Sequence, residues 1–307
     1  MTTEATEPLP PRSVATTSTR ERGTPGKKES RGLLVRALVL IIALAWTVPT
    51  AGLLISSLRS EVSVSSSGWW TLFAHPFEFT QYTLSNYDRV LTAENMFEAF
   101  VNSLIVTIPA TVIPITLAAF AAYGFAWTKF RGRSFLFAVV VGLLVIPLQM
   151  SLVPLLRVYG DFDLVGSFVG VWLAHTGFGL PLAIYLLYNY ISQLPKDIFE
   201  SAYLDGATPF TAFTRLVVPL SYPALASFAI FQFLWVWNDL LVSLVFLGTS
   251  TEVAVLTVRL NNLVGSRGAA WHLLTAGAFV SMVVPLIVFL SLQRFFVRGI
   301  LAGSVKG

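Results

Sequence analysis

The sequence predicts an all-α integral membrane protein of six transmembrane helices, with a helix–turn–helix segment on one membrane face. Two observations carry that prediction. Of 307 residues, 55% are hydrophobic and only 12% charged, whereas a soluble domain carries about 25% charged residues. Six apolar runs also reach the length of about 20 residues that a bilayer core requires. They are Leu33–Leu58, Phe100–Trp127, Phe135–Leu156, Ser167–Tyr190, Ala224–Leu247 and Leu273–Phe296. Each is continuous rather than alternating in short segments, which disfavours a closed β-barrel.

Ahead of the first run, residues 1–30 are rich in Thr, Ser, Pro, Glu, Arg and Lys and show no apolar periodicity. Such a composition buries too little apolar surface to offset ordering entropy, so a disordered cytoplasmic tail is expected there, with residues 31–307 forming the six-span domain. The run from Leu33 has the length of a span rather than of a signal-peptide core, and no cleaved leader is expected. Gly23–Ser30 lacks the glycine-to-lysine spacing of a phosphate loop, and no strand precedes it.

The runs contain Pro49, Pro109, Pro114, Pro147, Pro181 and Pro285. A proline inside a helix costs about 3 kcal/mol in water, but neighbouring membrane helices can satisfy the freed carbonyls. These prolines read as packing kinks or as hinges for a rocking bundle. With the N-terminus in the cytoplasm, the external connections hold only Arg59, Arg89, Arg157, Arg259 and Arg267 of the 20 Lys and Arg. Cytoplasmic connections collect such residues, so both termini and the segment at about 193–222 are placed inside a plasma membrane.

Two external connections are long. Arg59–Ala99 carries Trp69, Trp70, His75, Phe77, Phe79, Tyr82 and Tyr87; it reads as an interfacial aromatic belt or as a surface meeting an external partner. Gly248–His272 mixes Val253, Val255, Leu256 and Val258 with Arg259, Asn261, Asn262 and the turn Gly265–Gly268. It is expected to be extended or re-entrant, ending in a turn.

The inner connection between the fourth and fifth runs is the most informative stretch. Pro195, Asp197 and Glu200 suit the start of a helix, where the dipole favours carboxylates. Ile198, Ala202, Tyr203 and Ala207 can share a face, and Gly206 interrupts the helix to make a turn. Thr208-Pro209 supplies a cap and a first helical residue for a second helix, with Phe210, Phe213 and Leu216-Val217 as its apolar face. Pro219 and Pro223 are expected to end that helix and lead into the next span.

This segment resembles the conserved cytoplasmic loop of ABC importer permeases, which reads Glu-Ala-Ala, three residues, Gly, and a distal aliphatic-x-aliphatic-Pro. Glu200, Ala202, Asp205, Gly206, Ala207 and Leu216–Pro219 fall in register, with Ser201 in place of the middle alanine. The likeness extends to Tyr123–Ala126 with Phe130–Arg133, to Ile146–Gln149, to Val153–Leu155, to Trp237-Asn238-Asp239 and to Gly303–Gly307. It is nearest to the second permease of maltose-type and alpha-glucoside importers. The resemblance implies that this chain sits in the lipid bilayer and partners with a second homologous permease, an ATPase dimer and an extracytoplasmic sugar-binding protein. It also implies that this chain binds no cofactor, ATP being held by the ATPase, and that Glu200 is the leading glutamate of the ATPase-coupling loop. The segment around Asn261, Asn262 and Gly265 is implied as a contact for the binding protein, and the C-terminal tail as reaching toward the ATPase.

Competing readings are a permease for a non-sugar solute and, in a different class, a proton-coupled secondary transporter. An ionisable residue inside a span is a functional candidate by default, and Asp239 stands within the fifth run. Trp235, Trp237, Asn238 and Asp239 are therefore candidates for the substrate path, although a structural hydrogen-bonding role suits Asp239 as well. The chain has no cysteine, which excludes disulfides and thiolate chemistry. His75, His175 and His272 are scattered, with neither a His-Glu-x-x-His nor a Gly-x-Ser-x-Gly motif. No catalytic residue, no metal site and no nucleic-acid interface is predicted.

Overall fold

The computed structural model describes residues 25–75, 78–265 and 270–304. The chain divides into two units, Met1–Ala51 and Gly52–Gly307. The first holds the body of helix α1, Pro25–Ser57, which is apolar all round its span and contains Pro49. Because α1 begins at Pro25, residues 25–30 are helical rather than part of a disordered tail. Proline is well suited to a first helical position, where its missing N–H has no partner to lose.

In the second unit the connection expected to lie outside, 59–99, folds into short elements. Helix α2 spans Glu61–Ser66, 3-10 turns follow at Trp69–Phe73 and Phe79–Gln81, and α3 spans Ser85–Thr92. Arg59, 2% exposed, ties this segment together by donating to the Ser67 carbonyl, the Ser67 hydroxyl and Thr71 Oγ1. The Asn86 amide donates to the carbonyls of Ser57 and Arg59.

The frame is built by α4, Met96–Trp127, and α7, Phe168–Ile191. Ala110, Ala118, Ala122, Ala174 and Ala183 are each 1% exposed or less. Side chains this small let helix backbones approach where lipid supplies no hydrophobic drive for packing. Gly179 goes further. A Cβ there would lie 2.7 Å from the amide of Gln232, which lies flat across this glycine and donates to the Ala110 carbonyl at 3.1 Å. Gln232 belongs to α11, Tyr222–Trp237, so one buried amide joins α4, α7 and α11.

Among the described residues, four helices are individually long and apolar enough to cross a membrane: Leu33–Ser57, Met96–Trp127, Phe168–Ile191 and Trp271–Ser291. The third and fifth expected spans are broken. The third consists of α5, Arg133–Leu143, and α6, Leu148–Asp161, inclined at 102°. Pro147 explains the break, because its ring would clash with the carbonyl of Leu143, the last residue of α5. The fifth approaches through α9, Pro209–Ala212, a π-helical turn at Phe213–Val217, and α10, Val218–Leu220, which meet α11 at 72°. It stops at Trp237 rather than running to Leu247. A separate α12, Leu241–Phe246, follows, because Asp239 accepts from the backbone N–H groups of Val242 and Ser243 and so starts a new helix.

A further difference lies in the outer connection after α12. Leu256–Gly265 forms a helix, α13, rather than an extended segment. Leu256 and Leu263 recur at helical spacing and are both buried, so that face is held against the core. Asn102 of α4 donates to the Glu252 and Ala254 carbonyls, and Ser103 Oγ accepts from the Leu256 N–H, fastening this connection to the outer end of α4. Ser266–Ala269 of the expected turn lie outside the described residues. The last helix, α14, spans Trp271–Ser304, and Val305–Gly307 of the C-terminal motif lie outside the described residues.

Candidate functional site

At the end of the bundle opposite Asn102, two short helices cross the ends of the spans. The first, α8, Lys196–Leu204, leads into α9. It ends in a tight double-bonded turn in which the Ala207 N–H donates to the Ala202 carbonyl at 2.9 Å and the Gly206 N–H donates to the Tyr203 carbonyl at 3.1 Å. That pattern requires a left-handed residue after the cap, and Gly206 supplies it with φ 83°. Thr208 then caps α9 by accepting from the Thr211 N–H at 3.2 Å, with Pro209 in the first turn. The expected helix–turn–helix, with its turn at Gly206 and its cap at Thr208, is present. Pro219 does not end the second helix, which runs through the π-turn to Leu220 and pauses at Ser221.

Two aromatic anchors hold the pair to the spans. Phe199, 1% exposed, stacks on Trp127 at the end of α4, and Trp127 Nε1 donates to the Ile191 carbonyl at the end of α7. Tyr123 donates to the Pro209 carbonyl at 3.1 Å, and its hydroxyl lies 3.1 Å from that of Tyr203. Phe213 and Val217 are buried as expected of the second helix, whereas Phe210 points outward. Phe199 was missed as an anchor because neither the motif nor the expected Ile198–Ala202 face includes it. Its partner is 72 positions away (199 against 127), beyond any local pattern.

The motif residues lie on the side of the pair that faces away from the bundle. Glu200, Asp205 and Gly206 are exposed and Ala202 and Ala207 half-buried. A groove of about 350 Å³ runs between the helices, lined by Ala202, Gly206, Ala207, Ala212 and Arg215 among others. Leu204 is 89% exposed and Phe210 66%. Small residues, large apolar side chains and a carboxylate thus face away from the bundle. Such a patch suits a protein partner better than water.

The four candidates of the fifth run separate. Trp237 is 2% exposed, stacks on Phe233 and donates through Nε1 to the Ser281 carbonyl, so it is core. Asn238 is exposed, with its amide donated to the Leu234 carbonyl. Asp239 caps α12 and stands 3.7 Å from Nε2 of His175, a fully buried residue of α7. Trp235 meets the His175 ring edge-on at 5.2 Å. Trp235 also lines a cavity of about 350 Å³ beside the α5–α6 break, together with Ser151, Tyr159, Gly177 and Phe178. Broken helices beside a cavity are where transporters expose backbone groups to solutes. No local pattern joins these residues, which come from α6, α7, α11 and the break that follows α11. Asn261 and Asn262 are exposed on α13, with Gly265 its last residue. Among the described residues, no cluster of three or more His, Cys, Asp or Glu suits a metal ion.

Residues 97–302 match the family described as binding-protein-dependent transport system inner membrane component. The chain is 60% identical to the osmoprotective compounds uptake permease protein GgtD of Synechocystis sp., covering 94% of this chain and 97% of that one. It is 45% identical to the alpha-glucoside transport system permease protein AglG of Rhizobium meliloti, covering 92% and 99% respectively. In fold it is similar to a chain of a bacterial alginate ABC transporter crystallised with an alginate pentasaccharide-bound periplasmic protein. The TM-score is 0.63 and the identity 18%, over 87% of this chain and 95% of that chain.

Proposed function

The chain belongs to the family of binding-protein-dependent transport system inner membrane components, and from that membership we propose that it is one permease of an ATP-driven importer for alpha-glucosides. A second permease completes the path, an ATPase dimer docks on the α8–α9 pair, and an extracytoplasmic binding protein delivers the solute. ATP is bound and hydrolysed by the ATPase, and this chain converts the movement of that subunit into rearrangement of its spans. The carrying observation is the α8–α9 pair. It is anchored inward by Phe199 and Tyr123 and presents Glu200, Leu204 and a small-residue groove outward.

The solute class rests on the relatives. AglG is named for alpha-glucosides, and the aromatic, hydroxyl-bearing cavity at Trp235, Tyr159 and Ser151 suits a sugar, whose apolar face stacks on rings. A second reading, uptake of osmoprotective compounds, is favoured by the name of GgtD. Purification from native membrane, followed by uptake of labelled solute in vesicles with and without ATP, tests both. Maltose, methyl alpha-glucoside and glycine betaine serve as competitors. ATP-dependent uptake blocked by the glucosides and not by betaine supports the first reading, and the reverse supports the second. Transport by the chain alone, following a proton gradient, would overturn both.

A further inference from the structure

The α4–α5 connection has no part in the proposed coupling or solute path. Lys129, Arg131 and Arg133 fall within five residues, and no Asp or Glu occurs between Glu98 and Asp161. Among the described residues, none of the three cations has a carboxylate within ion-pairing distance. Arg133 is half-buried and closes the loop by donating to the Thr128 carbonyl at 3.2 Å, while Lys129 and Arg131 are exposed. The loop surrounds a concavity of about 460 Å³ lined by Lys129, Phe130, Gly132, Arg133, Ser134 and Phe135. Phe130 is 44% exposed and Phe135 76%, and α5, which leads away from the loop, buries no residue.

We propose that this concavity is a binding site for the phosphate headgroup of an anionic phospholipid. The three unpaired cations meet the phosphate, and Phe130, Phe135 and the apolar flank of α5 lie along the acyl chains. A loop that only needed hydration would not set a ring as exposed as Phe135 beside its charges. Aromatic rings next to basic residues at a span end are the pattern of the membrane boundary, and clustered Lys and Arg there select anionic lipid. Gly132, at the cap position of α5, has no side chain to bond the first N–H groups of that helix, so they add partial positive charge at the same place. Thr128, which follows the Trp127 that carries Phe199, places the site at the coupling end of the bundle.

Binding of fluorescent phosphatidylglycerol to the protein purified from its membrane tests the proposal, with phosphatidylcholine and inorganic phosphate as competitors. The wild type is expected to prefer phosphatidylglycerol to phosphatidylcholine about tenfold or more. The double variant K129Q/R131Q, whose side chains make no internal bonds that hold the loop, is expected to lose that preference. Phe135→Ser keeps every charge and is expected to weaken lipid binding without changing the response to inorganic phosphate. Equal binding by wild type and K129Q/R131Q overturns the proposal. So does full displacement by inorganic phosphate with no effect of Phe135→Ser, which makes the site one for a free anion. Loss of the co-purifying ATPase with lipid preference intact also overturns it, making the loop a protein-docking surface.

Discussion

Trp127, the last residue of α4, stacks on Phe199 of α8 with ring centroids 3.9 Å apart and planes inclined by 21°. The same indole donates to the end of α7, so a single side chain joins two spans to α8. Truncating a buried Phe to Ala costs about 3–5 kcal/mol in a packed core. Phe199→Ala is expected to leave the chain in the membrane and cut ATP-driven uptake at least about tenfold, with Phe199→Leu intermediate. Uptake assays beside a membrane-fraction immunoblot check this.

Glu200 is exposed and the helix carrying it is fixed, so its substitution changes the presented surface and little else. Glu200→Lys is expected to abolish uptake and to reduce recovery of the ATPase on co-purification, with insertion and thermal stability unchanged. Reversing a charge at an interface disfavours docking through like-charge placement and lost pairing.

Gly206 holds φ 83° with two backbone bonds closing the turn around it. A β-carbon in that conformation costs about 1–2 kcal/mol, and Asn tolerates it best among the other residues. Uptake is expected to fall in the order Gly206→Asn, Gly206→Ala, Gly206→Val. A flat series would mean that the turn does not set the angle between the helices.

Gly179→Ala places its new carbon 2.7 Å from the Gln232 amide. Overpacking of this kind costs about 1–3 kcal/mol. The double variant G179A/Q232A removes the obstacle and is expected to melt above G179A alone, a coupling that a double-mutant cycle reads directly.

Asp239 acts through its acceptors toward Val242 and Ser243. Asp239→Asn keeps an acceptor and is expected to retain most uptake. Asp239→Ala removes the cap at a cost of about 1 kcal/mol and is expected to lower the melting temperature. A proton carrier would show the opposite pattern, with Asn as damaging as Ala.

The all-α class and the α8–α9 helix–turn–helix were legible because their signals are local: apolar runs, a threonine cap before proline, a glycine at a turn. The span breaks were half-legible. Pro147 marked the third, but proline alone cannot distinguish a kink from a 102° bend. The fifth break turned on whether the Asp239 carboxylate would reach the N–H groups after it. Helix α13 was misread because valines on a loop favour extended structure until Leu256 and Leu263 find a core to cover them. Neither the Trp127–Phe199 anchor nor the cavity beside Trp235 leaves a trace in sequence, since each joins residues distant along the chain.

Helix α4 is about 48 Å long at 1.5 Å per residue. Asn102 and Ser103 grip the connection after α12 near one end, and Tyr123 and Trp127 grip the α8–α9 pair at the other. One rod therefore carries a handle at each face. Free energy exchanged along it has no preferred direction: whatever a ligand outside gains from shifting α4, a partner inside must gain equally from finding it shifted. In the proposed importer, delivery of cargo and engagement of the ATPase would then be two readings of the same lever.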